Sequence, residues 1–291
     1  MPDQWIDQAE GLRKLLVKAP PQIVTLCSAM PEPGRPWALL NLAAALKQAG
    51  SGVLILDGAA GQAGGLMACP VQPIQFKNIL EGNCSISQAI SMAPEQIPVI
   101  AAQSGLDGLV EALSENHSFS RQLKLDSGTT EVLLVNTLPN AHGLQCPDAL
   151  LGQEMVITVR PERSSVSATY ELIKSLCERS SQRTFRLLIS GNPDVRESQR
   201  LHKALSSALA RTFNVNMTLL GVMPSDRNLH HAASQGRAVV ASHPNTFSAA
   251  SFRKMADSLI RCRTAGLPRL GVPTSLVPKI NTSSAISLVR G

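Results

Sequence analysis

Residues 22–46 read QIVTLCSAMPEPGRPWALLNLAAAL, and this stretch decides the fold. It opens with a short apolar run at 23–28, bends through Pro31, Pro33 and Pro36, and continues as an apolar helical segment. A buried strand, a tight turn and a helix in this order are typical of the first unit of a doubly wound sheet. The turn after the first strand is where a phosphate loop sits in such folds.

The alternation of strand and helix patterns continues along the chain. Short apolar runs recur with helix-like segments between them, which predicts an α/β fold with a mostly parallel sheet covered on both faces. VLILD and VLLVN are continuously apolar, as expected of strands buried on both faces. The predicted strands are 23–28, 53–57, 99–102, 132–136, 155–159, 185–190 and 217–222. The predicted helices are 37–48, 106–113, 167–179, 197–211, 229–235 and 248–262, with Ser164 or Ser165 as the N-cap of the third.

A separate amphipathic helix is predicted before the first strand. Its apolar positions share one stripe, and Pro20-Pro21 ends it. The stripe consists of Trp5, Ile6, Ala9, Leu12, Leu15 and Leu16. The tail 267–291 is rich in Ser and Thr without a sustained period, which predicts a mostly unstructured extension. The predicted organisation is therefore a helix at 1–20, an α/β domain at 21–265 and a flexible tail at 266–291.

The composition is that of a globular protein with one large core. Of 291 residues, 44% are hydrophobic and 16% charged. No apolar run reaches about 18 residues, and the N-terminal stretch MPDQWIDQAEGLRK lacks the apolar core of a secretory signal. We therefore predict a cytoplasmic protein with at most peripheral membrane association. The net charge of +6 is spread along the chain and only 3% of residues are aromatic, which favours no specific nucleic-acid site.

Neither the cysteines nor the histidines predict a metal site. The six cysteines are scattered without a C-x-x-C pair, and several lie in apolar runs where cysteine behaves as a small hydrophobe. His230 and His231 are adjacent, so on a helix they point in different directions and cannot bind one ion together. We predict buried or incidental thiols and no bound metal.

The flanks of the first turn resemble the MinD/ParA superfamily of P-loop NTPase-like proteins. In that family the loop reads K-G-G-V-G-K-T, and the helix after it contains N-L-A. Aligned on N-L-A at 41–43, the signature lysine falls on Met30 and only Gly34 is retained. The phosphate-binding lysine becomes Arg35, and the Mg²⁺-binding threonine becomes Pro36.

Each replacement in the loop removes a specific contact. Pro31 and Pro33 have no N–H to donate, and Glu32 places a negative charge where phosphate would lie. Pro36 has no hydroxyl for a metal. Arg35 could meet an anion as an exposed cation at a helix start, but a plain surface arginine is the favoured interpretation. The loop therefore predicts that triphosphate binding in the family manner is lost.

Three further positions of the family site also depart from its pattern. The family's L-D-A-D-x-G corresponds to 56–61, where Asp57 is kept and Ala59 replaces the aspartate that orients water. Asn136 replaces the metal-holding aspartate of D-T-x-x-G, and Ser190 replaces the asparagine that touches adenine. An alanine cannot orient water, and a neutral amide is a poor metal ligand. The resemblance implies a pseudo-ATPase that needs no cofactor.

Elsewhere the resemblance is closer. Residues 160–174, RPERSSVSATYELIK, follow the family's P-E-x-x-[ST]-[VI]-x-D-A-Y-x-L-I-K except that Ala168 replaces its aspartate. Residues 221–240, GVMPSDRNLHHAASQGRAVV, resemble the family's G-x-[VI]-P-x-D-x-x-[LV]-x-x-A segment, which ends in a short strand. The resemblance spans about residues 3–262.

The N-terminal helix narrows the resemblance to one branch. Residues 7–13, DQAEGLR, match the D-Q-A-x-x-L-R motif of flagellar-number regulators, the FlhG/FleN branch. There the helix binds the signal-recognition-type GTPase FlhF and stimulates it. The resemblance implies that Gln8 acts in trans by helping to orient the attacking water. The implied partner-binding residues are Asp7, Gln8, Ala9, Leu12, Arg13 and Leu16.

Three functions remain open from the sequence. The first is a regulator of flagellar number or placement that binds FlhF and a flagellar transcriptional activator. The second is an ATP-dependent MinD/ParA-type ATPase with nucleotide-driven dimerisation, which would need ATP and Mg²⁺. The third is a partition-like protein that binds nucleic acid or a membrane surface. The candidates for a vestigial nucleotide site are Gly34, Arg35 and Asp57.

Overall fold

The fold is built on one eight-stranded sheet in a computed structural model. The model describes residues 21–30, 34–59, 74–114, 117–126, 130–137, 139–140, 143–144, 150, 154–191 and 194–264. The strands of this sheet are β1 (Gln22–Ser28), β2 (Val53–Asp57), β3 (Ile90–Ala93), β4 (Ile97–Ala101), β5 (Val132–Asn136), β8 (Glu154–Val159), β9 (Thr184–Ser190) and β10 (Asn216–Met223). Two-residue strands β6 (Pro139–Asn140) and β7 (Gly143–Leu144) pair separately.

The sheet is parallel except at one edge. Its order is β10-β9-β8-β1-β5-β2-β4-β3, and among the strands that the structure describes in this sheet only β3 runs antiparallel to its neighbour. Non-consecutive neighbours require crossover connections, and helices supply them on both faces. The predicted doubly wound, mostly parallel sheet is therefore confirmed.

Helices cover both faces of this sheet. They are α1 (Arg35–Gln48), α2 (Phe76–Leu80), α3 (Ile86–Ala89), α4 (Leu109–Ala112), α5 (Ser118–Asp126), α6 (Arg163–Arg179), α7 (Val195–Phe213), α8 (Arg227–Ser234), α9 (Val239–Ser242) and α10 (Phe247–Thr264). Short 3₁₀ turns occupy Pro94–Gln96 and Leu106–Gly108. Leu133 and Leu134 are adjacent in β5, both fully buried, and belong to opposite core layers. Such two-sided burial explains why β5 has no polar face.

Two local predictions are wrong. The N-cap of α6 is Glu162 and not Ser164 or Ser165, because Ser165 lies in the first turn, where its Oγ accepts a hydrogen bond from the backbone N–H of Arg160 at 3.1 Å. The predicted short strand at the end of 221–240 is also wrong. Its residues Val239 and Val240 begin the helix α9.

The remaining differences concern boundaries and short elements. The predicted helix 106–113 is a 3₁₀ turn followed by α4, and the predicted strand 99–102 begins earlier as β4. The prediction omitted β3 and the short helices α2, α3 and α5. No helix among the described ranges has the length and apolar character to cross a membrane. The predicted segments 1–20 and 266–291 lie outside the described residues.

Candidate functional site

Three neighbouring strands end in polar residues at the same edge of the sheet. β1 ends at Ser28, β2 at Asp57 and β5 at Asn136, and β5 lies between the other two. Asp57 and Asn136 are direct register partners. Because parallel strands all end on one side, these side chains converge where α1 begins at Arg35. The edge is the phosphate-loop position of a doubly wound fold.

Arg35 is the central residue of this edge. Its side chain is fully buried, so the predicted surface arginine is wrong. Its Nη1 donates to the Oγ of Ser28 at 3.3 Å and to the backbone carbonyl of Thr137. The guanidinium therefore turns inward from the first residue of α1 and joins the ends of β1 and β5.

The acceptors of Arg35 are themselves held by hydrogen bonds. The Oγ of Ser28 donates to the carbonyl of Met30 at 2.7 Å. The backbone N–H of Thr137 donates to the carbonyl of Leu26 at 3.0 Å, and its Oγ1 donates to the same oxygen at 3.3 Å. A charged donor bound to fixed oxygens in a low-dielectric interior forms strong hydrogen bonds. Arg35 thus links the start of α1 to the ends of β1 and β5 by hydrogen bonds.

Asp57 and Asn136 form a second buried pair beside Arg35. The Nδ2 of Asn136 donates to the Oδ1 of Asp57 at 2.7 Å, and the backbone N–H of Ala59 donates to the same oxygen at 3.0 Å. Both side chains are almost fully buried. A carboxylate can only accept, so the amide must turn its NH₂ group toward it. Asn136 therefore presents a donor to Asp57, where a metal ligand would have to offer oxygen.

Gly58 follows Asp57 at a point of close backbone approach. Its N–H donates to the carbonyl of Asn136 at 2.9 Å, and a Cβ built at this position would lie 2.6 Å from that oxygen. A side chain at this position would collide with that oxygen, so the close approach of the two strand ends favours glycine. The turn after β2 is thereby fixed against the end of β5.

Asn41 connects α1 to the region after α8, a role that sequence analysis did not foresee. Its Nδ2 donates to the carbonyl of Trp37 at 2.8 Å, and its Oδ1 accepts the backbone N–H of Val239 at 2.6 Å. The Nε2 of Gln48 donates to the carbonyl of Val240 at 3.1 Å. A polar residue inside the apolar stretch LLNLAAAL was the available signal for such a buried contact.

Comparison with known proteins gives two sequence relatives. No family-wide sequence profile matches the chain. The chain is 25% identical over 242 residues to the antiactivator FleN of Pseudomonas aeruginosa, which covers 82% of this chain and 86% of FleN. It is 26% identical over 231 residues to an uncharacterised ATP-binding protein of Methanocaldococcus jannaschii, covering 78% and 83% of the two chains.

Solved structures give the same fold. The MinD cell division protein of Aquifex aeolicus superposes with a TM-score of 0.60 at 15% identity, covering 82% of this chain and 97% of that one. MinD of Pyrococcus horikoshii, in complex with Mg-ADP, gives a TM-score of 0.56 at 20% identity, covering 85% and 99%. The chain shares the fold of MinD and resembles FleN in sequence. The resemblance stated from its sequence, including the FlhG/FleN branch, is confirmed.

The MinD/ParA positions named from the sequence come together at one sheet edge. Gly34 precedes α1, and a Cβ added to it would lie 2.9 Å from the Cε of Met223, so Met223 packs against this turn. Ser190 is buried at the end of β9, and the N–H of Gly191 donates to the carbonyl of Met223 at 3.0 Å. Gly34, Arg35, Asp57, Asn136 and Ser190 all lie at strand ends or the helix start, as the MinD/ParA resemblance implies.

The remaining predictions concern the partner-binding residues, metal binding and the cysteine thiols. Gln8 and the remaining partner-binding residues Asp7, Ala9, Leu12, Arg13 and Leu16 lie outside the described residues. Among the residues that the structure describes, no group of three or more His, Cys, Asp or Glu side chains could bind a metal. Burial raises the pKa of the Cys84 and Cys177 thiols, which favours their protonated form.

Proposed function

We propose that this chain regulates the number or placement of flagella by binding other proteins, without hydrolysing ATP itself. Similarity to FleN over most of both chains supports the regulatory role. The inward-turned Arg35 is the observation that carries the loss of ATPase activity. Arg35 occupies the position of the phosphate-binding lysine, but its guanidinium donates to Ser28 and Thr137. A phosphate would therefore have to displace these internal hydrogen bonds.

The chemistry of the remaining side chains also disfavours a magnesium nucleotide. Mg²⁺ is bound through carboxylates, hydroxyls, phosphates and water. Here the Oδ1 of Asp57 already accepts two N–H groups, and Asn136 turns a donor toward it. Pro36 supplies no hydroxyl at the threonine position. These residues do not fit the Mg-nucleotide site that the MinD/ParA resemblance would require.

Calorimetry with Mg-ATP tests the proposed loss of nucleotide binding. We expect no saturable heat when Mg-ATP is titrated into the full chain. The loop lacks the backbone N–H donors that bind phosphate, and Arg35 is hydrogen-bonded to Ser28 and Thr137. MinD of Pyrococcus horikoshii, which has been crystallised with Mg-ADP, is the positive control in the same buffer. One-to-one saturable binding to this chain would instead support the ATP-dependent alternative, which the similarity to an ATP-binding archaeal protein favours.

The proposed protein partners are an FlhF-type GTPase and a transcriptional activator. Residues 7–13, DQAEGLR, support the first partner through their match to the motif of the FlhG/FleN branch. The name antiactivator, given to the relative FleN, supports the second. We assign FlhF to residues 1–20, which the sequence predicts to be a helix, and the activator to the α/β body, so the two contacts can be tested separately.

A GTPase assay tests the first contact. The full chain is expected to raise GTP hydrolysis by FlhF, and Gln8→Ala is expected to return hydrolysis to the unstimulated rate because the water-orienting amide is lost. Leu12→Ala removes only docking area, so it should raise the concentration needed for half-maximal stimulation by about tenfold and leave the maximal rate unchanged.

Gln4→Ala is the matched control for this assay, because it removes the same amide outside the motif. It is expected to stimulate like the unmodified chain. Two results would contradict the proposal: no stimulation of FlhF by the unmodified chain, or equal losses for Gln4→Ala and Gln8→Ala.

A further inference from the structure

Two histidine rings meet on the surface beside α8 and α9. His231 lies on the exposed face of α8, and half-buried His243 follows the end of α9. The Nδ1 of His231 is 3.3 Å from the Nε2 of His243, and the rings are 5.2 Å apart at an interplanar angle of 77°. The adjacent His230 turns to Ser225 instead, with Nε2 3.0 Å from Oγ.

Both rings are carried by firmly held backbone. The Oδ1 of Asp226 caps α8 by accepting the N–H of Leu229 at 2.8 Å. The N–H of His243 donates to the carbonyl of Val239 at 2.8 Å, and the Oγ1 of Thr246 donates to the carbonyl of His243 at 2.8 Å. The backbone positions that carry the two rings are therefore fixed by secondary structure.

Hydrogen bonds fix the tautomer of His243. The Oγ of Ser242 donates its proton to the carbonyl of Ala238 at 2.9 Å, so the same oxygen can only accept at its second contact. The Nδ1 of His243 lies 3.0 Å from this oxygen and must carry a proton that it donates. The Nε2 of His243 is then the unprotonated nitrogen, and its lone pair faces His231.

We propose that the Nδ1 of His231 and the Nε2 of His243 bind a divalent transition-metal ion, with Zn²⁺ as the reference ion. Two nitrogens bound to a tetrahedral zinc at about 2.0–2.1 Å lie about 3.3–3.4 Å apart, which matches the observed separation. Imidazole ligands suit Zn²⁺, Cu²⁺ and Ni²⁺ rather than Mg²⁺ or Ca²⁺. Water completes the coordination, because the described residues offer no third His, Cys, Asp or Glu ligand.

The surrounding residues provide the outer hydrogen bonds that such a site needs. Ser242 orients His243 in the way that metal-binding histidines are held through their second nitrogen. The side-chain amide of Gln235 lies 3.4 Å from the Nε2 of His231, and a rotated amide offers its carbonyl to the proton on that nitrogen. A bound ion would link α8 to the segment after α9.

Zinc titration of the tag-free full chain by calorimetry tests the site. We expect one saturable site at pH 7.5. His231→Ala or His243→Ala should each weaken binding at least about tenfold, and Ser242→Ala should weaken it about tenfold because the orienting contact is lost. His230→Ala is the matched control and should bind zinc like the unmodified chain, because His230 faces Ser225.

The double variant His231→Ala and His243→Ala gives a second readout, which separates these two ligands from other zinc-binding groups. Absence of saturable binding by the folded chain would overturn the proposal. Unchanged binding by the double variant His231→Ala and His243→Ala would also overturn it, because zinc would then be held by other groups.

Discussion

Replacing Arg35 by alanine is expected to lower the free energy of unfolding by about 3 kcal/mol. The variant loses the hydrogen bonds of Nη1 to Ser28 and Thr137, and it leaves both oxygens buried without this donor. It also leaves a cavity where the long side chain was packed. Urea unfolding followed by circular dichroism measures the change, with equal slopes required for the comparison.

Two further variants separate the causes of this loss. Arg35→Met keeps much of the buried stem but has no donor, so its loss should be smaller than that of Arg35→Ala yet clearly measurable. Arg200→Ala is the control, since Arg200 lies exposed in α7 and its loss should stay within about 0.5 kcal/mol. If Arg35→Ala were no less stable than Arg200→Ala, the buried hydrogen bonds of Arg35 to Ser28 and Thr137 would not contribute to stability in solution.

Replacing Asn136 by aspartate is expected to lower the free energy of unfolding by about 3 kcal/mol at pH 7. The substitution restores the residue type of the MinD/ParA pattern, but it removes the donor that contacts Asp57 at 2.7 Å. Two buried carboxylates at this distance repel each other and cannot both remain ionised without cost. The change is measured by urea unfolding at several pH values.

The pH dependence of this variant has a definite sign. The two carboxyl groups of the variant bind a shared proton more tightly in the folded than in the unfolded chain. The free energy of unfolding of the variant is therefore higher at low pH, where the proton is bound, and falls as the pH rises. The deficit of Asn136→Asp relative to the unmodified chain should therefore shrink from pH 7 to about pH 4. A constant deficit over this range would indicate a packing defect and not charge repulsion.

An exchange of the two residues gives the sharpest control. The double variant Asp57→Asn and Asn136→Asp restores one amide and one carboxylate, and an asparagine oxygen at position 57 can still accept the N–H of Ala59. It should recover the unfolding free energy to within about 1 kcal/mol of the unmodified chain, which is a coupling that double-mutant cycles detect. Failure to recover would mean that each side chain is required at its own position.

Strands buried on both faces were the most predictable part of the fold. β2 and β5 have the bounds predicted from VLILD and VLLVN. In a sheet covered on both faces, every side chain of a central strand is buried, so a short, continuously apolar run indicates such a strand. β3 was missed because ISMA is short, alternates in burial and lies at the edge. Its position depends on antiparallel pairing with β4, which no local pattern encodes.

The helix α9 illustrates tertiary contacts that override local preference. Its first residues, Val239 and Val240, are β-branched, and the resemblance also placed a strand at the end of this segment. In the structure, the side chain of Asn41 from α1 accepts the N–H of Val239, which satisfies one of the free donors of the first helical turn. This contact joins residues 198 positions apart, so sequence reading could not anticipate it.

The candidate site was predictable in position but not in geometry. Sequence alignment identified Arg35, Asp57 and Asn136 as neighbours of one sheet edge, and the register confirms this for the two strand residues. The direction of Arg35 could not be inferred, because its acceptor Thr137 lies 102 positions away in sequence. Surface exposure is the usual state of arginine, and only the assembled strand ends supply oxygens that stabilise it inside.

Under the proposed function, the buried Arg35 also bears on how cells control the activity of this protein. A protein governed by ATP and ADP responds to whichever form each copy holds, because the two ligands favour different conformations. The guanidinium of Arg35 is part of the protein, so, unlike a nucleotide, it does not exchange and is the same in every folded copy. Under the proposed function, copy number would then set the strength of regulation, so transcription and proteolysis would be the points of control.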